Sequence, residues 1–262
     1  MEYKRIKVEM KDTIAILTLN HPEALNAITA RMLFELRDIV GKLNDASSEA
    51  RCLLITGAGR GFCSGANLTD PDQVPPEPNS GDSMDSTHNP LFLQLRDLRI
   101  PIVTAVNGPA AGVGMSLALM GDIVLAGRSA YFFQAFRQIG LIPDGGATYI
   151  LPRLVGLARA LELSLLAEKL PAQKALDWGL INRVYDDERL IPEAMELAAS
   201  LASGPTIALN LMRKAYWQSM DNTYEQQLHL EAVLQLQALA TEDATEGRMA
   251  FYQKRKPLFS GK

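Results

Sequence analysis

The sequence is poor in the residues that most often announce chemistry. Among 262 residues there are only two cysteines, three histidines and two tryptophans. Cys52 and Cys63 lack the paired spacing of a zinc site or a thiol–disulfide motif, so no metal is expected. Cys52 stands in an apolar run and reads as a small core residue. No run of about 18 apolar residues occurs, and Met1-Glu-Tyr-Lys-Arg5 leads into no apolar segment, so neither a membrane span nor a secretion signal is expected. Positive charge is not in excess: 26 Lys and Arg against 30 Asp and Glu leave a net charge of −4. That balance gives no basic footprint for nucleic acid. Together these absences predict a reducing, cytoplasmic setting with no membrane and no nucleic-acid partner.

What is present is ordinary globular material, 47% hydrophobic and 21% charged. The apolar runs 13–19, 52–56, 102–106, 122–126, 131–133 and 180–184 read as strands. Between them, helical spacing marks 30–44 (with Thr29 as N-cap), 91–98, 113–120, 157–167 and 172–178. Strands alternating with helices predict an α/β fold. Beyond Asp186 the strand signals stop, and helical segments follow near 190–201, 206–219, 223–240 and 242–254. The reading therefore divides the chain into a core domain, 1–203, and a C-terminal helical region, 204–262, fitted for oligomerisation because amphipathic helices need a surface to pack on.

Three glycine-rich turns carry the functional signal. Gly57-Ala-Gly-Arg-Gly-Phe-Cys-Ser-Gly-Ala-Asn67 follows a strand, but its spacing fits neither a dinucleotide fingerprint nor a P-loop. Asn107-Gly-Pro-Ala-Ala-Gly-Val-Gly114 and Gly140-Leu-Ile-Pro-Asp-Gly-Gly-Ala-Thr148 each open a helix, and backbone N–H groups at a helix start stabilise negative charge. The last of them holds a carboxylate, Asp144. Between the first two lies a polar, Pro-rich stretch, 68–90, that reads as a long mobile loop and contains His88.

In order along the chain, Gly61-Phe-Cys-Ser-Gly-Ala-Asn-Leu68, Pro101-Ile-Val-Thr-Ala-Val-Asn-Gly108, Gly112-Val-Gly114, Asp122, Gly140-Leu-Ile-Pro-Asp144 and Gln173-Lys-Ala-Leu-Asp-Trp-Gly-Leu180 closely resemble the crotonase family of enoyl-CoA hydratases and isomerases. The resemblance implies a spiral of ββα turns with a helical C-terminal region, assembled as trimers or dimers of trimers. It implies acyl-CoA thioesters as substrates, coenzyme A being part of the substrate and no separate cofactor being needed. Two backbone N–H groups would hold the thioester oxygen, and aligned onto this chain they belong to Ser64 and Val113. Gly65, Ala66 and Asn67 match the family's backbone clamp on the adenine of CoA, with Asn67 where many members carry Asp. Leu68, Gly112 and Phe136 fall at substrate-binding positions, and Lys254, in Lys254-Arg-Lys256, matches residues that approach the CoA phosphates.

The departures matter as much. Hydratases of this family use two glutamates to deliver water, and Ser116 and Phe136 stand at those positions here. Asp144 alone offers a carboxylate, which matches members that shift a double bond or rearrange a ring epoxide by moving one proton. Apolar neighbours would raise its pKa and the adjacent helix start would lower it, and the sequence leaves both open. Asp144 could also simply cap the following helix. Further alternatives are hydration in the broad family sense, nucleophilic attack by Asp144 as in 4-chlorobenzoyl-CoA dehalogenase relatives, RNA binding through the helix 29–44, and a non-catalytic CoA-binding scaffold. Phe136 lacks the indole donor that the dehalogenase relatives use, and the helix 29–44 balances its basic residues with Glu35 and Asp38.

Overall fold

The computed structural model describes residues 2–69 and 84–262. Residues 70–83, most of the polar loop expected over 68–90, lie outside the described residues. Strands β1 (Ile6–Lys11) and β2 (Ile14–Leu19) form an antiparallel pair. β3 (Cys52–Gly57), β4 (Ile102–Val106), β6 (Ile123–Gly127) and β9 (Arg183–Tyr185) continue the sheet in parallel, in the order β1-β2-β3-β4-β6-β9. A smaller sheet joins β5 (Ala110–Ala111), β7 (Tyr131–Phe133) and β8 (Leu170–Pro171). This is the mixed α/β spiral that the sequence predicts.

The inner strands are unbroken apolar runs because both faces of the sheet are covered. In β3, Leu53 and Ile55 join the main core with α1 (Ala30–Asn44), while Cys52 and Leu54 face α6 (Asp187–Ala202). Helix α6 meets them with Leu190 and with Ala194, Ala198 and Ala202, whose small side chains let it lie close to the strands. In α1 the predicted cap is present, Thr29 Oγ1 accepting from Met32 N–H at 3.0 Å. The six apolar residues whose spacing predicts this helix are all buried.

Three differences from the expected elements have local causes. β1 was not expected, because only one of its residues is buried and its sequence shows no clean alternation. α4 (Ala147–Leu166) begins ten residues before the expected helix 157–167; Pro152 sits inside it and Gly156, at φ 78° and ψ 158°, breaks it in two. The strand expected over 180–184 narrows to Arg183–Tyr185. The remaining helices are α2 (Asn89–Arg96), α3 (Val113–Ala118) and α5 (Ala172–Asp177), followed by α7 (Thr206–Ser219), α8 (Tyr224–Leu239) and α9 (Glu242–Gln253). Among the described residues no helix is long and apolar enough to cross a membrane.

Two arginines fasten α7 and the C-terminal tail to the core. Arg213 of α7 is buried and donates to Asp122 Oδ2 at 2.6 Å, to the Leu95 carbonyl at 3.1 Å and to the Leu98 carbonyl. Arg51, at the start of β3, donates to the Gly204 carbonyl at 2.6 Å, to Thr206 Oγ1 at 2.8 Å and to the Phe259 carbonyl at 3.1 Å. Removing one partner of a buried ion pair leaves an uncompensated charge, at a cost of about 3–5 kcal/mol. Arg213→Ala is therefore expected to lower the stability by about that amount, read as a fall in the urea midpoint.

Candidate active site

The first glycine turn leaves β3 and is held open by two asparagines. Asn26, fully buried and at φ 56°, donates from Nδ2 to the carbonyls of Ala58 (2.9 Å) and Gly61 (2.8 Å). Asn107, at the end of the neighbouring β4, donates to the Gly59 carbonyl at 2.9 Å and accepts from Gly57 N–H at 3.2 Å. These amides take the place of ladder partners that a loop lacks. Neither was predicted for the site, and the only sequence signal was a turn-forming Asn on each side of a glycine run.

The loop then crosses the second turn. Cys63 N–H donates to the Pro109 carbonyl at 3.0 Å, and Ala111 N–H donates to the Cys63 carbonyl at 2.9 Å. Gly114 is glycine because a Cβ there would collide with that same Cys63 carbonyl oxygen. Gly65 lies against the next residues, its would-be Cβ 3.0 Å from the Ala111 oxygen and 3.9 Å from Gly112 Cα. The two predicted turns thus form one floor. Burial pushes the Cys63 thiol up to about 12, so it is an inert packing residue and no nucleophile.

Of the two N–H groups expected to hold a thioester oxygen, Ser64 and Val113, the first is bonded within the fold. Ser64 N–H is already donated to the Leu25 carbonyl at 3.0 Å, and the Ser64 hydroxyl to the Ala24 carbonyl at 3.0 Å. Its backbone hydrogen is used inside the fold and is not free for a ligand. Two residues on, Ile28 N–H bonds the Gly65 carbonyl (2.8 Å) and Asn67 N–H bonds the Ile28 carbonyl (2.9 Å). In such a parallel bridge the intervening N–H points the other way. Ala66 is exposed, and its N–H has no acceptor among the described residues. Val113 is the first residue of α3, where N–H groups have no acceptor within the helix.

Asp144 stands on the third turn. Gly145 and Gly146 follow it at φ +58° and +80°, a doubly left-handed backbone that side chains other than glycine resist. Helix α4 is capped at Gly146 with no side-chain bond, so Asp144 is not the cap. Its Oδ1 is buried and has no hydrogen-bond partner among the described residues. Desolvation alone raises its pKa from 3.8 to about 6. Of the two influences left open by the sequence, burial is the one that shifts it. Phe136 is buried in the short 3-10 turn Ala135–Ile139, and its ring tip comes within 3.8 Å of where a Cβ on Gly112 would lie.

Around the third turn runs a groove of about 650 Å³, lined by Phe92, Met120, Gly145, Tyr149, Ile150 and Trp217 among others. His88 is half-buried before α2, its Nδ1 3.0 Å from Thr87 Oγ1, and burial lowers its pKa. Asn67 Oδ1 accepts from Thr69 N–H and Oγ1, at 3.1 and 3.0 Å, while Leu68 is exposed. Lys254 ends α9 in the left-handed region, and no hydrogen bond or ion pair ties it to the turns. Its neighbour Arg255 is committed to Glu246 through two bonds of 2.5 and 2.7 Å. Among the described residues no group of three or more His, Cys, Asp or Glu is arranged to hold a metal ion.

A glycine floor with free N–H groups beside a desolvated carboxylate suits acyl-thioester chemistry, and comparison with known proteins agrees. The family model "Enoyl-CoA hydratase/isomerase" matches residues 9–262. The chain belongs to this family. It is 46% identical to the 1,2-epoxyphenylacetyl-CoA isomerase of Escherichia coli K12, over 95% of both chains. It is 40% identical to a "Probable enoyl-CoA hydratase" of Rhodobacter capsulatus over the whole of both. The crystal structure of an enoyl-CoA hydratase from Bacillus anthracis superposes with a TM-score of 0.91 at 29% identity, covering 99% of this chain and 100% of the other. The protein is thus an enzyme of the enoyl-CoA hydratase/isomerase family with the crotonase fold, and the family acts on acyl-CoA thioesters.

The unpartnered carboxyl has a consequence for stability. Between pH 3.8 and about 6 the folded chain keeps a proton on Asp144 that the unfolded chain has released. The folded state binds more protons in that window, so this residue's contribution falls as pH rises through it. Asp144→Asn removes the penalty. Thermal denaturation is expected to show the variant more stable than the parent at pH 7.5 and equal to it at pH 4.

Proposed function

We propose that this enzyme is an acyl-CoA isomerase that moves a double bond, or rearranges a ring epoxide, with Asp144 as its one proton carrier. The observation that carries the reading is the buried, unpaired Asp144 carboxyl, raised to about 6, with no second carboxylate at 116 or 136. With a 3-enoyl-CoA, ionised Asp144 takes the C2 proton and the electron pair passes onto the thioester oxygen. The N–H groups of Ala66 and Val113 hold the resulting enolate oxygen. The protonated Asp144 then returns its proton at C4 as the double bond forms between C2 and C3. No water is consumed and no net proton is gained or lost.

A preorganised donor in such a site is worth about 3–4 kcal/mol in the transition state. Phe136, packed over Gly112, presents an aromatic edge where hydration would need a base. Gly65, Ala66, Asn67 and Leu68 form the lip proposed to clamp CoA, and the groove along Phe92, Tyr149 and Trp217 leaves room for the acyl group. The reading needs no cofactor beyond the CoA of the substrate. A cytoplasmic setting fits two thiols that are free and buried. Large apolar side chains stand exposed on the last three helices, Tyr216, Leu236, Phe251 and Tyr252 each at least 69% accessible. Such surface supports assembly of this chain with itself, as a trimer or a dimer of trimers.

Asp144→Asn is expected to abolish isomerisation of 3-hexenoyl-CoA while leaving the affinity for a non-reactive acyl-CoA within about twofold, because the variant keeps the volume and loses only the base. Retained turnover would defeat the assignment. Wild-type hydration of crotonyl-CoA is expected to be slow beside isomerisation, and equal rates would favour a hydratase. Chloride release from 4-chlorobenzoyl-CoA would indicate Asp144 acting as a nucleophile.

A further inference from the structure

Ser116 is fully buried in α3, at the position where hydratases of this family place a glutamate. A helical serine ordinarily returns its hydroxyl to the carbonyl one turn back. Here Ser116 N–H bonds the Gly112 carbonyl at 3.3 Å, while the hydroxyl reaches 28 residues along the chain to donate to the Asp144 carbonyl at 2.8 Å. That carbonyl already accepts Ala147 N–H at 3.1 Å, so the serine is not needed to satisfy it. The bond instead fixes the direction of the peptide that carries the catalytic carboxylate. Packing closes the same turn on two sides. A Cβ on Gly145 would lie 2.8 Å from Ser116 Cβ and 2.6 Å from Phe92 Cζ, so the turn is pressed against both α3 and α2.

We propose, on the proton-shuttle role given above to Asp144, that Ser116 is a positioning residue that holds the Asp144 turn against α3 and keeps its carboxyl aimed into the site. Among the described residues Asp144 Oδ1 has no hydrogen-bond partner to fix it. Two left-handed glycines follow it, a backbone that is easily turned. The hydroxyl from α3 therefore supplies the anchoring that the carboxylate lacks. The charged groups lining the groove beside the turn are Asp85, Arg96 and Asp221. None acts on Asp144, whose shift comes from burial alone. Untethered, the turn would move toward solvent and the carboxyl would return to the ordinary carboxylate range.

The test is Ser116→Ala assayed with 3-hexenoyl-CoA across pH 4 to 9, beside Asp144→Asn. Misplacement by about an ångström costs roughly 100-fold in rate, so kcat is expected to fall about 10- to 100-fold with KM unchanged within about twofold. The acid limb of kcat is expected to move down from near pH 6 toward about 4. A folded Ser116→Ala enzyme with the parent's kcat and acid limb would overturn the inference, as would a loss confined to KM or to thermal stability. Should that variant not fold, Ser116→Cys, which keeps the volume and loses the strong donor, is expected to show the same fall in kcat, and parental kcat there would overturn it equally. Full activity in Asp144→Asn would instead reject the shuttle itself, so the two failures are distinct.

Discussion

The bond from Ala111 N–H to the Cys63 carbonyl is the joint on which the rest of the site hangs. It ties a loop leaving β3 to a turn leaving β4, and these strands are hydrogen-bonded neighbours in the sheet. Parallel neighbours release their loops side by side at the same edge, which is where open α/β sheets place their ligands. Once the two backbones touch, Gly114 has no room for a side chain and α3 must start where it does. The result brings Ala66 and Val113 to one floor from segments that are far apart in sequence. No side chain is needed for the two donors we propose, only a crossing held at 2.9 Å.

Against that rigid floor the carboxylate is an expensive component. Burying an acid without a partner disfavours its charged form, and nearly every other buried polar group here is bonded. The fold offsets that cost with an apolar core that includes Phe62, Met115 and Phe132, each 0% accessible. Among the described residues Gln94 Oε1, Gln134 Oε1 and Asp144 Oδ1 lack a partner, and of the three only Asp144 can exchange a proton.

Much of this was legible in the sequence. Alternating apolar runs and helical spacing gave the sheet and α1, because burial imposes those periods directly. The ordered glycine motifs located the three turns and Asp144. What the residues could not show was direction. Ser64 and Ala66 lie two apart in one loop, and only the pairing of Ile28 with Gly65 and Asn67 decides which N–H is left over. The balance at Asp144 likewise depends on packing that closes in three dimensions. Ser116 read as a missing glutamate, since a hydroxyl reaching across 28 residues leaves no pattern along the chain. For residues 70–83 only the composition of a polar, Pro-rich stretch can be read.

Arg51 gives the molecule an order of assembly. Its guanidinium joins the root of β3 to a carbonyl 208 residues later, with Gly204 and Thr206 bound by the same group. Contacts this remote close slowly, because the intervening chain must first be gathered. On the ribosome, Arg51 would emerge early and stay without these partners until Gly204 and Thr206 had been added, completing its set only with residue 259. The root of the strand that carries the first glycine loop is therefore among the last points to gain its full set of partners.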